Sequence, residues 1–459
     1  MLVMKFGGTS VGNAEAMQRV AEIVRSRAER RPVVVASATA KTTDELVTLA
    51  RSASERDREK TDALIDWLME KHLAIVADLG LGGDSDLHAR IRSVGEELRR
   101  VTSAIWGHAD AERERLDDCL SWGEYLSCNI LAAWLRSRGL RAEWVDSRRI
   151  FLTDSRFGKA RPIMAESSRR AQEIIGPLLE AGTIPVMQGF IGADTQGRTT
   201  TFGRGGSDYS ATLIGALLEA EVVEIWTDVD GVMTANPKMV EHVRRIRRLT
   251  FDEAAELAYF GAKVLHPSTI LPAMERGISV QVLNSMRPQL PGTEIVPRER
   301  TPDRAARIKS IACKEGLSVI NIKSTRMLMA YGFLASIFDI FNRYETPVDI
   351  VSTSEVSVSV TVDNLERIDQ IKMELEEIAE VEIRHSQAIV SLVGEEICRE
   401  PGLPADVFGE LQGVQINLIS QGASKINISF VIDEAELPRV IGRLHARFFS
   451  GELDGEVFD

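Results

Sequence analysis

The chain has 459 residues, 44% hydrophobic and 27% charged, which is room for about three domains and far from the composition of a disordered or fibrous chain. Its 68 acidic and 55 basic side chains leave a net charge of −13, which argues against binding nucleic acid through the overall field. No run approaches about 18 consecutive apolar residues, so no membrane span is expected, and the opening MLVMKFGGTS lacks the apolar core of a signal peptide. Cys119, Cys128, Cys313 and Cys398 share no CxxC spacing and the seven histidines form no HxxxH pair, so the reading is reduced thiols in a cytoplasmic protein without a metal cage.

Apolar runs at 2–6, 32–38, 142–145, 183–190, 222–228 and 278–284 predict buried strands, each bounded by Gly, Pro or Asp. Helical patterns at 14–29, 124–138, 166–181, 208–220 and 253–260 alternate with them, the signature of a mainly parallel sheet between helices. Residues 44–118 are helical in pattern and highly charged, a helical excursion from that sheet. The stretch 288–306 holds four of the fifteen prolines and reads as a domain boundary. Beyond it the chain repeats itself: FLASIFDIFNRYETPVDIVSTSEVSVSVTV is echoed by LPADVFGELQGVQINLISQGASKINISFVI about 70 residues later. In each copy a helix leads to two alternating strands. Val356, Val358, Val360 and Val362 share one face, matched by Ile426, Ile428 and Phe430. One such unit buries too little surface alone, so the two copies are expected side by side, either as a dimerisation module or as paired small-molecule sensors.

Four segments carry chemistry. Lys5-Phe6-Gly7-Gly8-Thr9-Ser10 follows the first strand, where glycines let backbone N–H groups approach an anion and Lys5 adds a positive charge. Gly203-Arg204-Gly205-Gly206-Ser207-Asp208 opens a helix, with Ser207 or Asp208 as the expected N-cap and Arg204 offering a planar fork for a carboxylate or phosphate. Trp226-Thr227-Asp228-Val229-Asp230-Gly231 ends a strand where open α/β sheets bind ligands. Gly261-Ala262-Lys263-Val264 sets a lysine among apolar neighbours. Two near-motifs are set aside. Gly192–Thr199 has arginine for the P-loop lysine and runs into a strand pattern, so it is a hairpin turn; Gly80–Gly83 lies inside the helical excursion, so it is a loop.

Together KFGGTSV, SWGE, GFIGAD, TTTFGRGGSDYSA, WTDVDGV and GAKVLHP resemble the aspartate kinases of the amino-acid kinase family, and GFLA (332–335) with VDIVSTSEVSVSV (348–360) resembles their regulatory half. The resemblance is to the monofunctional, lysine-sensitive type, since no homoserine dehydrogenase domain follows residue 459. It implies a three-layer α/β catalytic domain over 1–297 with a mainly parallel central sheet. Two ferredoxin-like (βαββαβ) ACT domains would follow, the first over 307–385 completed by 445–459, the second over 386–444. It implies transfer of the γ-phosphoryl of ATP, with Mg2+, to the side-chain carboxylate of L-aspartate. A carboxylate is already ionised at neutral pH, so alignment and charge stabilisation, not a general base, are what such a transfer needs.

By the same resemblance Lys5 and Asp208 are catalytic. Ser37, Thr43, Glu124, Arg204, Gly205, Gly206 and Ser207 form the aspartate site, with Arg204 on the α-carboxylate and Glu124 on the ammonium. Lys5, Phe6, Gly7, Gly8, Thr227, Asp228, Met233, Lys238, Lys263 and Val264 line the ATP site. Met233 stands where the family often has tyrosine, Lys238 where it has arginine, and Asp230 where it has proline before Gly231. An amino-acid effector, with lysine favoured over threonine, would meet Met327, Ala330, Phe333, Leu334, Asp349, Ser354 and Glu355 between two subunits of a homodimer or larger assembly. No nucleic-acid, membrane or protein-bound metal partner is expected. The alternatives are a family member acting on another acid, such as glutamate or acetylglutamate, and a silent amino-acid sensor; intact Lys5, Glu124, Arg204 and Asp208 weigh against the second.

Overall fold

The computed structural model describes residues 1–105, 112–261, 265–298, 308–324, 331–451 and 453–459. They fall into two compact bodies, one built from 1–232, 248–251 and 264–301 and the other from 233–247, 252–263 and 302–459. Among the described residues no helix is long and apolar enough to cross a membrane.

The first body is organised by a sheet of eight strands: β1 (Leu2–Phe6), β2 (Pro32–Ala36), β3 (Ala142–Val145), β5 (Ile184–Gln188), β8 (Val222–Thr227), β9 (Arg248–Thr250), β10 (Ser279–Asn284) and β11 (Thr293–Val296). Their spatial order is β3-β5-β2-β1-β8-β10-β11-β9, parallel at every step but β10–β11. Strands buried on both faces need apolar residues at successive positions, and LVMKF and PVVVA are buried throughout. In the central register Phe6 is level with Ala36 and Trp226, so β1, β2 and β8 end together. Ligands of open α/β sheets bind at such carboxyl ends. A small second sheet joins β4 (Leu152–Thr153), β6 (Ile191–Asp194) and β7 (Thr199–Thr201); the β6–β7 pairing is antiparallel, so Gly192–Thr199 is indeed a hairpin.

The helical excursion resolves into Thr42–Ser54, Arg58–Asp78, Ser85–Ile105 and the start of Glu112–Ser137, with Gly80–Gly83 in the turn between two of them. These helices do not form a separate core. Leu46, Ile65, Leu68, Ile91 and Leu98 join one apolar cluster with Met4, Val34 and Val186 of the sheet. The excursion is thereby held against the end of β2.

In the second body six strands form one antiparallel sheet: β12 (Ser310–Lys323), β13 (Val351–Thr353), β14 (Ser357–Val362), β15 (Glu380–Val393), β16 (Ile416–Gln421) and β17 (Asn427–Asp433), in the order β13-β14-β12-β15-β17-β16. Val358, Val360 and Val362 are fully buried against Ile337, Phe341 and Ile371, as the period-2 pattern requires. The repeats share their long strands. Residues 318–323 of β12 pair with β14, whereas 310–314 run on beside 389–393, the segment of β15 that β17 also flanks. Register shifts between Lys314 and Val319 let one strand serve both copies. Of the segment expected to complete the first copy, His445 Nε2 meets Thr234 Oγ1 at 2.9 Å, and Phe458 bridges to Ile246 while its ring packs on Phe449. None of them belongs to the first copy's apolar cluster among the described residues.

Candidate active site

Lys5 is the penultimate residue of β1. Its alternate-side neighbours are apolar and its own side chain is buried, so its ammonium needs a partner. Asp208 supplies one, with Nζ 2.5 Å from Oδ1. The chain then turns tightly: the Gly7 N–H donates to Trp226 O at 3.1 Å, and a Cβ on Gly7 would stand 3.6 Å from Lys5 Nζ. Gly8 is closer still to its neighbour, since a Cβ there would lie 3.0 Å from Ala38 O. Ser10 Oγ meets Ser285 Oγ at 2.7 Å and the Ser285 N–H donates to Thr227 O at 2.8 Å, pinning the loop to the end of β8. The following helix, Ala14–Arg27, is capped by Asn13, whose Oδ1 accepts from the Ala16 N–H.

Asp208 sits in the first turn of helix Gly206–Leu217. The expected cap by Ser207 or Asp208 is not made; the N-cap is Gly205, at φ 72°, without a side-chain bond. The left-handed backbone there suits glycine alone at low cost, and it frees Asp208 to reach Lys5. Gly189 approaches the same turn, because a Cβ on it would meet Ser207 Cβ at 2.6 Å and Cα at 2.7 Å. Phe190, next in line, has φ 71° and donates its N–H to Ser210 Oγ at 2.9 Å. Its ring lies where a Cβ on Gly206 would go. Nothing in GFIGAD marks a phenylalanine for the left-handed region, so sequence reasoning passed over it. Arg204 is exposed and makes no ion pair among the described residues, leaving its guanidinium free for an anion.

Glu124 lies in helix Glu112–Ser137 and is only 3% exposed. Its Oε1 accepts the Ala38 N–H at 3.1 Å, while its Oε2 has no hydrogen-bond partner among the described residues. Burial pushes its carboxyl up to about 8, against the pull of the Ala38 bond. A nearly neutral acid with one vacant oxygen is what an incoming ammonium would ionise. Ser37 lies between: its N–H donates to Phe6 O at 3.0 Å and its carbonyl accepts from Ser127 Oγ at 2.7 Å. Thr43 is half-buried in the first turn of Thr42–Ser54.

Residues 1–284 match the family model described as the amino acid kinase family, and 390–448 match an ACT domain model. Lysine-sensitive aspartokinase 3 of Escherichia coli (strain K12) is 36% identical over 98% of this chain and 99% of its own. The chain belongs to the aspartokinases. Aspartokinase 1, chloroplastic, of Arabidopsis thaliana is 38% identical over 98% of this chain and 81% of that protein. The solved structure of E. coli aspartokinase III in complex with aspartate and ADP (R-state) has a TM-score of 0.86 at 35% identity, covering 98% of this chain and all of that one. The same enzyme in complex with lysine and aspartate (T-state) has a TM-score of 0.83 at 36% identity, over 98% of this chain and 99% of that one.

Of the residues expected to face ATP in this aspartokinase, Lys5, Phe6, Gly7, Gly8, Thr227 and Asp228 gather at the ends of β1 and β8; Thr227 Oγ1 donates to Asp228 Oδ1 at 3.2 Å. Asp230, in the family's proline position, accepts from Asn284 Nδ2 at 2.6 Å and pairs with Arg287, so the substitution is anchored. Met233 and Lys238 belong to the second body, Lys238 exposed. Lys263 and Val264 lie outside the described residues, as do Met327 and Ala330. Phe333 and Leu334 follow Gly332, the N-cap of helix Phe333–Arg343 at φ 82°, and Ser354 and Glu355 are exposed in the β13–β14 turn. The Asp349 side chain is buried and already holds a cation. Lys314 Nζ is 2.8 Å from its Oδ1, and Tyr259 Oη donates to the same oxygen at 2.9 Å. Burial and the Asp349 charge push the Tyr259 hydroxyl well above the usual phenol range.

Proposed function

We propose that this aspartokinase binds ATP and L-aspartate across the ends of β1, β2 and β8 and forms 4-phospho-L-aspartate. The aspartate side-chain carboxylate would attack the γ-phosphorus. One oxygen–phosphorus bond forms as the bond to the β–γ bridging oxygen breaks, and no proton moves. The observation that carries this reading is the pairing of one buried cation with one vacant buried carboxylate oxygen at neighbouring strand ends: Lys5, fixed by Asp208, and Glu124. Lys5 would neutralise the transferring phosphoryl, with the Gly7–Gly8 loop against it. Glu124 would take the substrate ammonium and Arg204 its α-carboxylate, and opposite ends of the amino acid would thus be gripped so that only the side-chain carboxylate faces the phosphorus.

Mg2+ would come with the nucleotide. Such an ion is ligated mainly by phosphate oxygens and water. In the regulatory half the first repeat would take the effector, lysine by likeness to the E. coli enzyme, at Asp349, Ser354, Glu355 and the helix start at Phe333, with the repeats joining subunits into a dimer or larger assembly. The catalytic domain is read as 1–297, followed by paired ACT units. The test is Lys5→Met: turnover should fall by about a thousandfold or more while aspartate binding and the melting temperature hold. Near-normal turnover would remove Lys5 from the chemistry.

A further inference from the structure

Two residues of the helix Arg58–Asp78 reach the turn that runs past both Gly8 and Glu124. His72 is fully buried. Its Nδ1 lies 2.7 Å from Leu68 O, which can only accept, so Nδ1 carries the hydrogen. Burial pushes its imidazole down to about 4, so Nε2 is an acceptor at neutral pH. Thr39 Oγ1 stands 3.1 Å from that nitrogen and 2.7 Å from Thr42 Oγ1. Lys71 Nζ donates to Thr42 Oγ1 at 2.9 Å and to Ala40 O at 2.6 Å. With a lysine at one end and a backbone carbonyl at the other, the direction of every bond follows. Lys71 donates to Thr42, Thr42 to Thr39, Thr39 to His72, and His72 to Leu68.

This chain of bonds holds the turn Ala38–Thr42 at Thr39, Ala40 and Thr42. The turn is not relaxed on its own: Lys41 has φ 66° and caps the next helix without a side-chain bond. The backbone of the same turn meets the site. Its Ala40 N–H donates to Gly8 O at 3.0 Å, its Ala38 N–H donates to Glu124 Oε1, and its Ala38 carbonyl is the group that leaves no room for a side chain at Gly8. We propose that Lys71 and His72 are positioning residues for the phosphoryl transfer, setting the turn at the height from which it orients both the Gly8 loop and the Glu124 carboxyl. The Glu124 half of the proposal rests on the reading that Glu124 binds the substrate ammonium.

The experiment is steady-state kinetics of the full-length Lys71→Met, His72→Leu and His72→Gln proteins with ATP, Mg2+ and L-aspartate, beside Glu124→Gln. Lys71→Met and His72→Leu should lower kcat/KM for aspartate about tenfold to a hundredfold, with KM for ATP held within about twofold. His72→Gln restores an acceptor near the Nε2 position and should return to within about threefold of the parent. Loss of melting temperature alone, equal shifts in both KM values, or no rescue by glutamine would overturn the proposal. If His72→Leu does not fold, the half-buried Lys71 decides by the same criteria. The two readings separate cleanly. A fall in kcat/KM for aspartate in Glu124→Gln with none in Lys71→Met refutes the positioning role. The reverse result refutes the ammonium role of Glu124 and keeps the positioning role through Gly8.

Discussion

Aspartate binding should expel a proton from Glu124. In the free protein the carboxyl is buried, Oε1 accepts one backbone N–H, Oε2 has no hydrogen-bond partner among the described residues, and the group titrates near 8. At pH 7 about 0.9 of these carboxyls are protonated by that value. An ammonium at Oε2 supplies the missing counter-charge and pulls the group well below 7, so about 0.9 proton per site should leave on binding. Calorimetric titration of aspartate at pH 7, in buffers of different ionisation enthalpy, reads that number as the slope of observed heat. The same group makes stability pH-dependent. Its folded-state value lies above the ordinary glutamate 4.5, so the folded chain binds the extra proton. The contribution is therefore fully present below about 4.5 and lost as pH rises towards 8, at up to about 1.4 kcal/mol per pH unit. Glu124→Gln should abolish both the buffer-dependent heat and this slope. Identical heats in all buffers for the parent protein would refute the assignment of Glu124 as a neutral acid awaiting an ammonium.

Other outcomes follow from single contacts. Lys314 occupies Asp349, so an effector ammonium must compete with it. Lys314→Met should lower the half-inhibiting lysine concentration about fivefold, and Asp349→Ala should desensitise the enzyme; unchanged inhibition curves would contradict this. Lys309 Nζ and Glu253 Oε2 form an ion pair, 2.7 Å apart, with both side chains inaccessible, so Lys309→Met should cost about 3–5 kcal/mol in urea unfolding of the second body's transition. Gly189→Ala places a Cβ against Ser207 and should cut kcat/KM about a hundredfold, whereas Gly176→Ala, with nothing within 4 Å, should leave activity unchanged.

The fold was legible where apolar runs are continuous. LVMKF and AEWV are strands over the expected residues, and the hairpin at Gly192–Thr199 was betrayed by the strand pattern after its arginine. The sharing of β12 between the two repeats was not, because a bulge near Lys314 is a property of pairing partners over 70 residues away. In the site, motifs point to Lys5, Asp208 and Glu124, and the fold brings Lys5 to Asp208. Phe190 and the Lys71–His72–Thr39 chain were missed for a physical reason. A left-handed phenylalanine has no composition signal, and a histidine on a charged helix reads as a solvated or core residue until the turn it bonds is in view. Thr42, next to the Thr43 expected in the aspartate site, takes part in that bonding.

The central claim is the reaction, and trapping its acyl phosphate tests it most directly. The full-length protein is incubated with ATP, Mg2+ and hydroxylamine, with L-aspartate or L-glutamate as acceptor. The account predicts aspartyl hydroxamate from L-aspartate, none from L-glutamate, and suppression by lysine. Hydroxamate from glutamate instead, or none from aspartate with a folded, ATP-binding protein, would contradict it.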